Sequence, residues 1–324
     1  MKKQRGVALI TVLLVFALIT ILCAQMILHT LASLERSRWL VTEAQAYQYA
    51  LAGEELARIV LKEQMDSLRN QGLEISPIPR PLPLYQPDNG QLTIEIIDLQ
   101  GLINLNNALL DTTNQKTLRN LFSSQLLKPA LISELSDWLD IDLTPSPGGA
   151  EDYDYLSKIP PYRTANGPMS HPSELGLLAD LSIEEYQSIA PFVTTLPQGT
   201  ALNINTSPAE VLNLLDNTLS GIQIAAFRET SPSGFRSVSD FLTNSVTAGV
   251  ELNGSNLTVT SNYYAAKITA SFEDQTVHLV SRFKLDNTDG TLELVDRILD
   301  GAMKANSINT SNQDQDDGSI NSVF

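Results

Sequence analysis

Six carboxylates fall within a short stretch: Asp137, Asp140, Asp142, Glu151, Asp152 and Asp154, the first three separated from the last three by a Pro/Gly-rich turn. Asp137 and Asp140 lie three apart at the end of a helical pattern and so share one helix face. Gathered without compensation, these groups would repel one another. A hard cation that takes six to eight oxygen ligands removes that cost. No histidine or cysteine lies close by, so the donor set favours calcium over zinc. The expected ligands are Asp140, Asp142, Glu151, Asp152 and Asp154, ahead of Asp137, in a structural role that needs no catalytic water. The competing reading is an acidic loop whose charges cap helices and face water.

Little else in the chain points to reaction chemistry. The one cysteine, Cys23, sits inside an apolar run, and there are three histidines, which argues against a zinc site. No nucleophile elbow, phosphate loop or zinc-protease helix motif occurs, so an enzyme is not expected. Leu219-Ser220-Gly221-Ile222, with Ala225, Arg228 and Gly234-Phe235, resembles a helix-hairpin-helix unit. Such units can present backbone amides to a phosphate. Here Gln223 replaces a helpful glycine and Arg228 and Arg236 are nearly alone. The formal charge of −16 would repel a nucleic-acid backbone. A helical unit used for protein contacts is the better reading, with no nucleic-acid partner.

The elements that must position these residues begin at the N-terminus. Val7 to Leu28 carries no formal charge, and as a helix it would span roughly 33 Å, enough for a bilayer core. Lys2, Lys3 and Arg5 precede it, which places the N-terminus in the cytoplasm and the bulk of the chain across the membrane. A cleaved signal peptide would need a shorter apolar run with a small-x-small site. A lipoprotein would need a small residue where Leu22 precedes Cys23. The basic leader ending in Gly6, followed by Val7-Ala8-Leu9-Ile10-Thr11, resembles a type IV prepilin site. That resemblance implies cleavage between Gly6 and Val7, N-methylation at Val7, and an apolar helix that serves as anchor and later as filament core. Most pilins carry glutamate where this chain has Thr11, which the resemblance ties to a protomer with no neighbour above it.

Downstream, Leu40, Ala44, Tyr47 and Leu51 recur at helical spacing, with Glu35, Arg36, Arg38, Glu43, Glu54 and Glu55 expected on the wetter side. No proline interrupts before about Leu73. Ser76 to Gly90 holds five prolines and reads as a loop. Gln91–Leu99, Ala265–Phe272, Thr276–Lys284 and Gly290–Val295 read as strands of a small antiparallel sheet. Between them, Asn104 to Thr260 reads as helical and carries a weak repeat: Ile103-Asn104-Leu105-Asn106 against Leu202-Asn203-Ile204-Asn205. Capping boxes are expected at Ser182/Glu185 and at Ser207/Glu210. The tail from about Ala305 reads as disordered.

The expected organisation is 1–6 leader, 7–28 transmembrane helix, 29–100 spine helix, loop and first strand, 101–200 first helical unit with the acidic loop, 201–260 second helical unit, 261–304 closing strands, and 305–324 tail. The fold class is α+β, a pilin-like body with an all-α insertion of two SAM-like or helix-hairpin-helix-like units.

Taken in order, Thr11, Asp137-Trp138-Leu139-Asp140, Gly149-Ala150-Glu151-Asp152, Pro161-Tyr162-Arg163, Asn166-Gly167 and Leu202-Asn203-Ile204-Asn205-Thr206 resemble the K minor pseudopilins of type II secretion. The resemblance implies a periplasmic body and a place at the tip of a filament that exports folded proteins. It also implies calcium in the helical insertion. The partners it implies are the I, J and H minor pseudopilins, the major pseudopilin G, prepilin peptidase, the inner-membrane assembly platform and secreted substrates. A minor pilin of a type IV pilus, or a membrane-anchored DNA-uptake protein, remain alternatives at this point.

Overall fold

The computed structural model describes residues 5–231, 233–286 and 290–299. Lys2, Lys3 and the tail expected from Ala305 lie outside the described residues. An uninterrupted helix, α1 (Arg5–Asn70), opens the chain and is about 99 Å long. Its first half is apolar all round and bare of protein: Leu13, Phe16, Ile19 and Met26 are all exposed. Such a surface has no favourable place in water and is long enough to cross a bilayer.

The second half of α1 packs on a four-stranded antiparallel sheet ordered β1 (Gly90–Asp98), β6 (Tyr263–Phe272), β7 (Gln275–Leu285), β8 (Leu292–Leu299). Strand alternation turns Leu92, Ile94 and Ile96 inward against Ile268, Ala270, Leu279 and Phe283. The face that α1 buries is Ala46, Ala50, Gly53, Ala57 and Leu61, not the expected Leu40 to Leu51 stripe, in which Leu40 and Ala44 are exposed. Small residues win here because the sheet comes close. A Cβ on Gly53 would stand 2.9 Å from both Ile268 and Leu92 side chains.

Glu54, expected to be wet, is buried on the same face. Arg297 of β8 grips it with two bonds of 2.6 and 2.7 Å, and the Ser281 hydroxyl donates a third at 2.6 Å. These bonds hold its pKa below the ordinary range despite burial. This pair also explains why the last strand runs to Leu299 rather than ending near Val295. The outer edge of β1 is occupied by the proline-rich loop, through paired backbone bonds between Tyr85 and Leu92.

Two helical units separate β1 from β6. The first comprises β2 (Ile103–Asn104), α2 (Thr112–Ser124), α3 (Leu131–Leu139), α4 (Asp152–Leu156), α5 (Ile183–Ile189) and β3 (Val193–Thr194). The second comprises β4 (Leu202–Asn203), α6 (Ala209–Leu215), α7 (Gly221–Thr230), α8 (Val238–Thr243) and β5 (Leu257–Thr258). Each closes on itself by a parallel two-residue pairing, β2 with β3 and β4 with β5, and each has its own apolar cluster.

The sequence repeat has a structural cause. Asn106 clasps the backbone of Met169, accepting from its N–H at 2.8 Å and donating to its carbonyl at 3.0 Å. Asn205 clasps Phe235 in the same way, at 2.9 and 2.8 Å. Asn104 and Asn203 each accept from the N–H two residues on. The motif therefore folds the same turn twice and pins the same kind of returning segment.

Ser182 and Glu185 form the expected reciprocal cap of α5. Ser207 does not cap α6. Its buried hydroxyl donates to the Asn203 carbonyl at 2.7 Å, because the second asparagine turn claims it first. Arg228 also points inward, to the carbonyls of Ile204 and Ser207 at 3.2 and 2.8 Å. Gly221 lets α7 press on α6, where a Cβ would fall 2.0 Å from the Ala209 carbonyl. The hairpin is thus a packing device with its cation spent on its own backbone.

Candidate metal centre

The acidic loop is built on an aromatic floor. Trp138 near the end of α3 meets Tyr155 of α4 edge to face at 5.4 Å, and Tyr155 meets Tyr162 at 5.3 Å. Both ends of the loop are therefore anchored in the core of the first unit. Asp137, fully buried, accepts from the Ser146 N–H at 3.0 and 3.2 Å. A Cβ on Gly149 would land 1.8 Å from the Asp137 carboxylate. Asp137 thus pins the Pro/Gly turn from beneath.

Above that turn, Asp140, Asp142 and Glu151 bring one carboxylate oxygen each within 4.8 Å of one another. Asp140 caps the end of α3 and Glu151 precedes α4, so two helix ends deliver them. Glu151 is buried, and its Oε1 and the Oδ1 of Asp140 have no hydrogen-bond partner. Burial, then the charges of Asp142 and Asp137, push the Asp140 carboxyl up. Burial, then Asp137 and Asp140, push Glu151 up. Oxygens bound to a single calcium ion stand up to about 5 Å apart, twice the metal–oxygen bond. The triad matches that spacing, and its two buried orphan oxygens are what a hard cation satisfies.

The remaining predicted ligands are turned to other tasks. Asp152 pairs with Arg163 at 2.7 Å and accepts from the N–H and hydroxyl of Thr164. Asp154 accepts from the Glu151 N–H at 3.1 Å, closing the first turn of α4. The sequence reading missed Asn166, whose Oδ1 is buried without a partner and whose Nδ2 reaches the Asp142 carbonyl at 3.4 Å. The Asn166-Gly167 pair, which suits the left-handed backbone found at Asn166 (φ 46°), was the available signal. The processing pair, Gly6 and Val7, and Thr11 fall in the opening turns of α1, far along the chain from this loop.

Comparison with known proteins bears on all of this. The family model for type II secretion system protein K matches residues 101–198, the span of the first helical unit. Type II secretion system protein K of Pseudomonas aeruginosa is 33% identical over 315 residues, covering 91% of this chain and 93% of that protein. Its counterpart in Klebsiella pneumoniae is 32% identical over 217 residues, covering 63% and 67%. Among solved structures, a chain of the GspK-GspI-GspJ complex from enterotoxigenic Escherichia coli superposes with a TM-score of 0.68 at 22% identity, covering 82% of this chain and 99% of that one. That likeness shows the shared fold. With a third of its residues in common over nearly the whole length of the Pseudomonas protein, the chain belongs to the type II secretion system protein K family.

Proposed function

We propose that this protein is a minor pseudopilin that starts or caps a short periplasmic filament used to export folded proteins. The observation that carries the reading is the near full-length relation to protein K together with an apolar helix that continues as the spine of a pilin-like body. In this reading α1 anchors the chain in the inner membrane with its N-terminus cytoplasmic. Prepilin peptidase cuts between Gly6 and Val7, and Val7 is N-methylated. Thr11, in place of the usual glutamate, suits a place at the tip, since a buried carboxylate without a neighbour's amine would be costly. Partners are the I and J minor pseudopilins, then H and the major pseudopilin G. The neighbouring solved structure, a complex containing GspI and GspJ, supports the first two. The role is structural, not catalytic, and calcium held by Asp140, Asp142 and Glu151 stiffens the first helical unit.

The test is to co-express the chain with prepilin peptidase and the I and J pseudopilins, then purify the membrane-extracted assembly. A mature chain starting at Val7 and co-purifying with both pseudopilins is expected. An uncut chain that purifies alone would reject the reading.

A further inference from the structure

The proline-rich loop, the outgoing end of β1 and the second helical unit enclose a cleft of about 580 Å3. Its apolar lining comes from Ile78 and Pro79 of the loop, Ile97 and Leu102 at the end of β1, and Pro208 and Ala225 of the second unit. Two arginines, Arg80 and Arg228, line it as well. A second cleft of about 220 Å3 shares Ile78 and Arg80 with the first and runs on to Gln64 and Leu68 of α1.

The two cations lack counter-charges. Arg228 is half-buried in α7 and donates through Nη1 alone to the Ile204 and Ser207 carbonyls. Its Nε and Nη2 make no hydrogen bond to the described residues, and neither is sealed from solvent. Glu229, next in sequence, is exposed on another side of the helix and forms no ion pair with it. Burial pulls the Arg228 guanidinium below its ordinary pKa, with the charge of Glu229 acting the other way. Asp98 lines the same cleft, but it is buried and its oxygens accept from Gln100, Asn203, Thr206 and Ser261. The Arg80 guanidinium is exposed, with neither a hydrogen bond nor an ion pair among the described residues. A guanidinium drawn partly out of water without a counter-charge is costly, and a carboxylate on its free fork offsets that cost.

We propose that the joined clefts hold an extended acidic peptide segment of a partner protein, with an Asp or Glu side chain on Arg228 and Arg80 and apolar side chains along the loop. The planar fork of Arg228 suits a carboxylate bonded twice. The apolar lining and the volume exceed what a single oxyanion needs and match a short stretch of chain. Both clefts border Arg80, so a segment lying in them passes the cation and does not end there. That makes a side chain, not a C-terminus, the source of the carboxylate. With a net charge of −16, most of this chain's surface repels an acidic segment. Two unpaired arginines in one cleft therefore select where it binds as well as what binds. The unit that resembles a helix-hairpin-helix then serves protein contacts through the flank of α7, not through its hairpin.

The experiment screens the full chain in detergent against a bead-bound library of amidated seven-residue peptides. Bound sequences should be enriched in an Asp or Glu flanked by apolar residues. The tightest of them, resynthesised, should lose about tenfold or more in affinity by fluorescence anisotropy when its carboxylate is replaced by the amide. Arg228→Gln should match that loss. Arg80→Gln, which removes no contact within the described fold, should cost about threefold. Arg236→Gln, in the same helical unit but outside the cleft, should change nothing. An empty screen, binders with no acidic preference, or affinity that survives both Arg80→Gln and Arg228→Gln would overturn the proposal. Inorganic phosphate that binds as tightly as any peptide would also overturn it, by making the cleft a site for small oxyanions. A screen that succeeds only with peptides ending in a free carboxylate would overturn the side-chain assignment and move the source to a C-terminus.

Discussion

Asp98 offers the sharpest test of how the sheet is joined to the helical insertion. It ends β1 and is buried, yet among the described residues no cation stands at hydrogen-bonding distance from it. Four donors converge on it: the Gln100 N–H at 2.9 Å, Asn203 Nδ2 at 3.1 Å, the Thr206 hydroxyl at 2.8 Å and the Ser261 hydroxyl at 2.6 Å. They come from the turn that follows the first strand, the second asparagine turn and the segment entering β6. Burial outweighs these bonds and pushes the carboxyl up to about 6, against 3.8 for an ordinary aspartate. That gap corresponds to about 3 kcal/mol of folding free energy. The folded state holds the proton more tightly than the unfolded chain. This contribution is therefore complete below about pH 4 and is lost as pH rises through 6. Glu54 and Asp216, whose carboxyls are held low, act in the opposite sense, so the wild type alone would not isolate Asp98. The assay is urea unfolding from pH 4 to 8 for wild type and Asp98→Asn. The two lowered carboxyls cancel in the difference. Relative to the variant, the wild type should lose about 3 kcal/mol across the range, a midpoint shift of about 1 M at an ordinary slope. A flat difference would show that Asp98 is hydrated and that the junction is not closed as described.

Three further outcomes follow from named contacts. Arg297→Met leaves buried Glu54 with Ser281 as its nearest donor and should cost about 2–3 kcal/mol in thermal or urea unfolding, less than for a fully buried pair because Arg297 is itself partly exposed. Gly149→Ala drives a methyl into the Asp137 carboxylate. It should weaken calcium binding about tenfold or more by displacing the loop, read by terbium luminescence. Asn205→Ala strips both polar groups of the Phe235 backbone of their partner and should cost about 2 kcal/mol, with Asn106→Ala matching it through Met169. A near-neutral Asn205 substitution would mean that the repeated motif is not what closes the second unit.

Much of the architecture follows from local pattern. A charge-free run of this length has no other stable conformation than a helix, and the absence of proline lets it continue to Asn70. Period-two alternation gave β1, β6 and β7 close to their observed limits, and the repeated asparagines announced two units. Ser182 and Glu185 could be read as a cap because both partners lie within a few residues of each other. The acidic cluster was visible for the same reason, and the structure gathers three of its carboxylates, Asp140, Asp142 and Glu151.

Tertiary contacts decided the rest. Which face of α1 is buried depended on how near the sheet approaches, and Arg297, hundreds of positions away, makes a buried Glu54 tolerable. Ser207 could cap α6 or close the asparagine turn, and only the fold placed the Asn203 carbonyl within its reach. Six neighbouring carboxylates look alike in a sequence. The fold separates them by partner: Ser146 takes Asp137, Arg163 takes Asp152, the Glu151 N–H takes Asp154, and Asp140, Asp142 and Glu151 are left facing one another. A side chain's type fixes what it can bind, but its partner is set by whatever the chain brings within three ångströms.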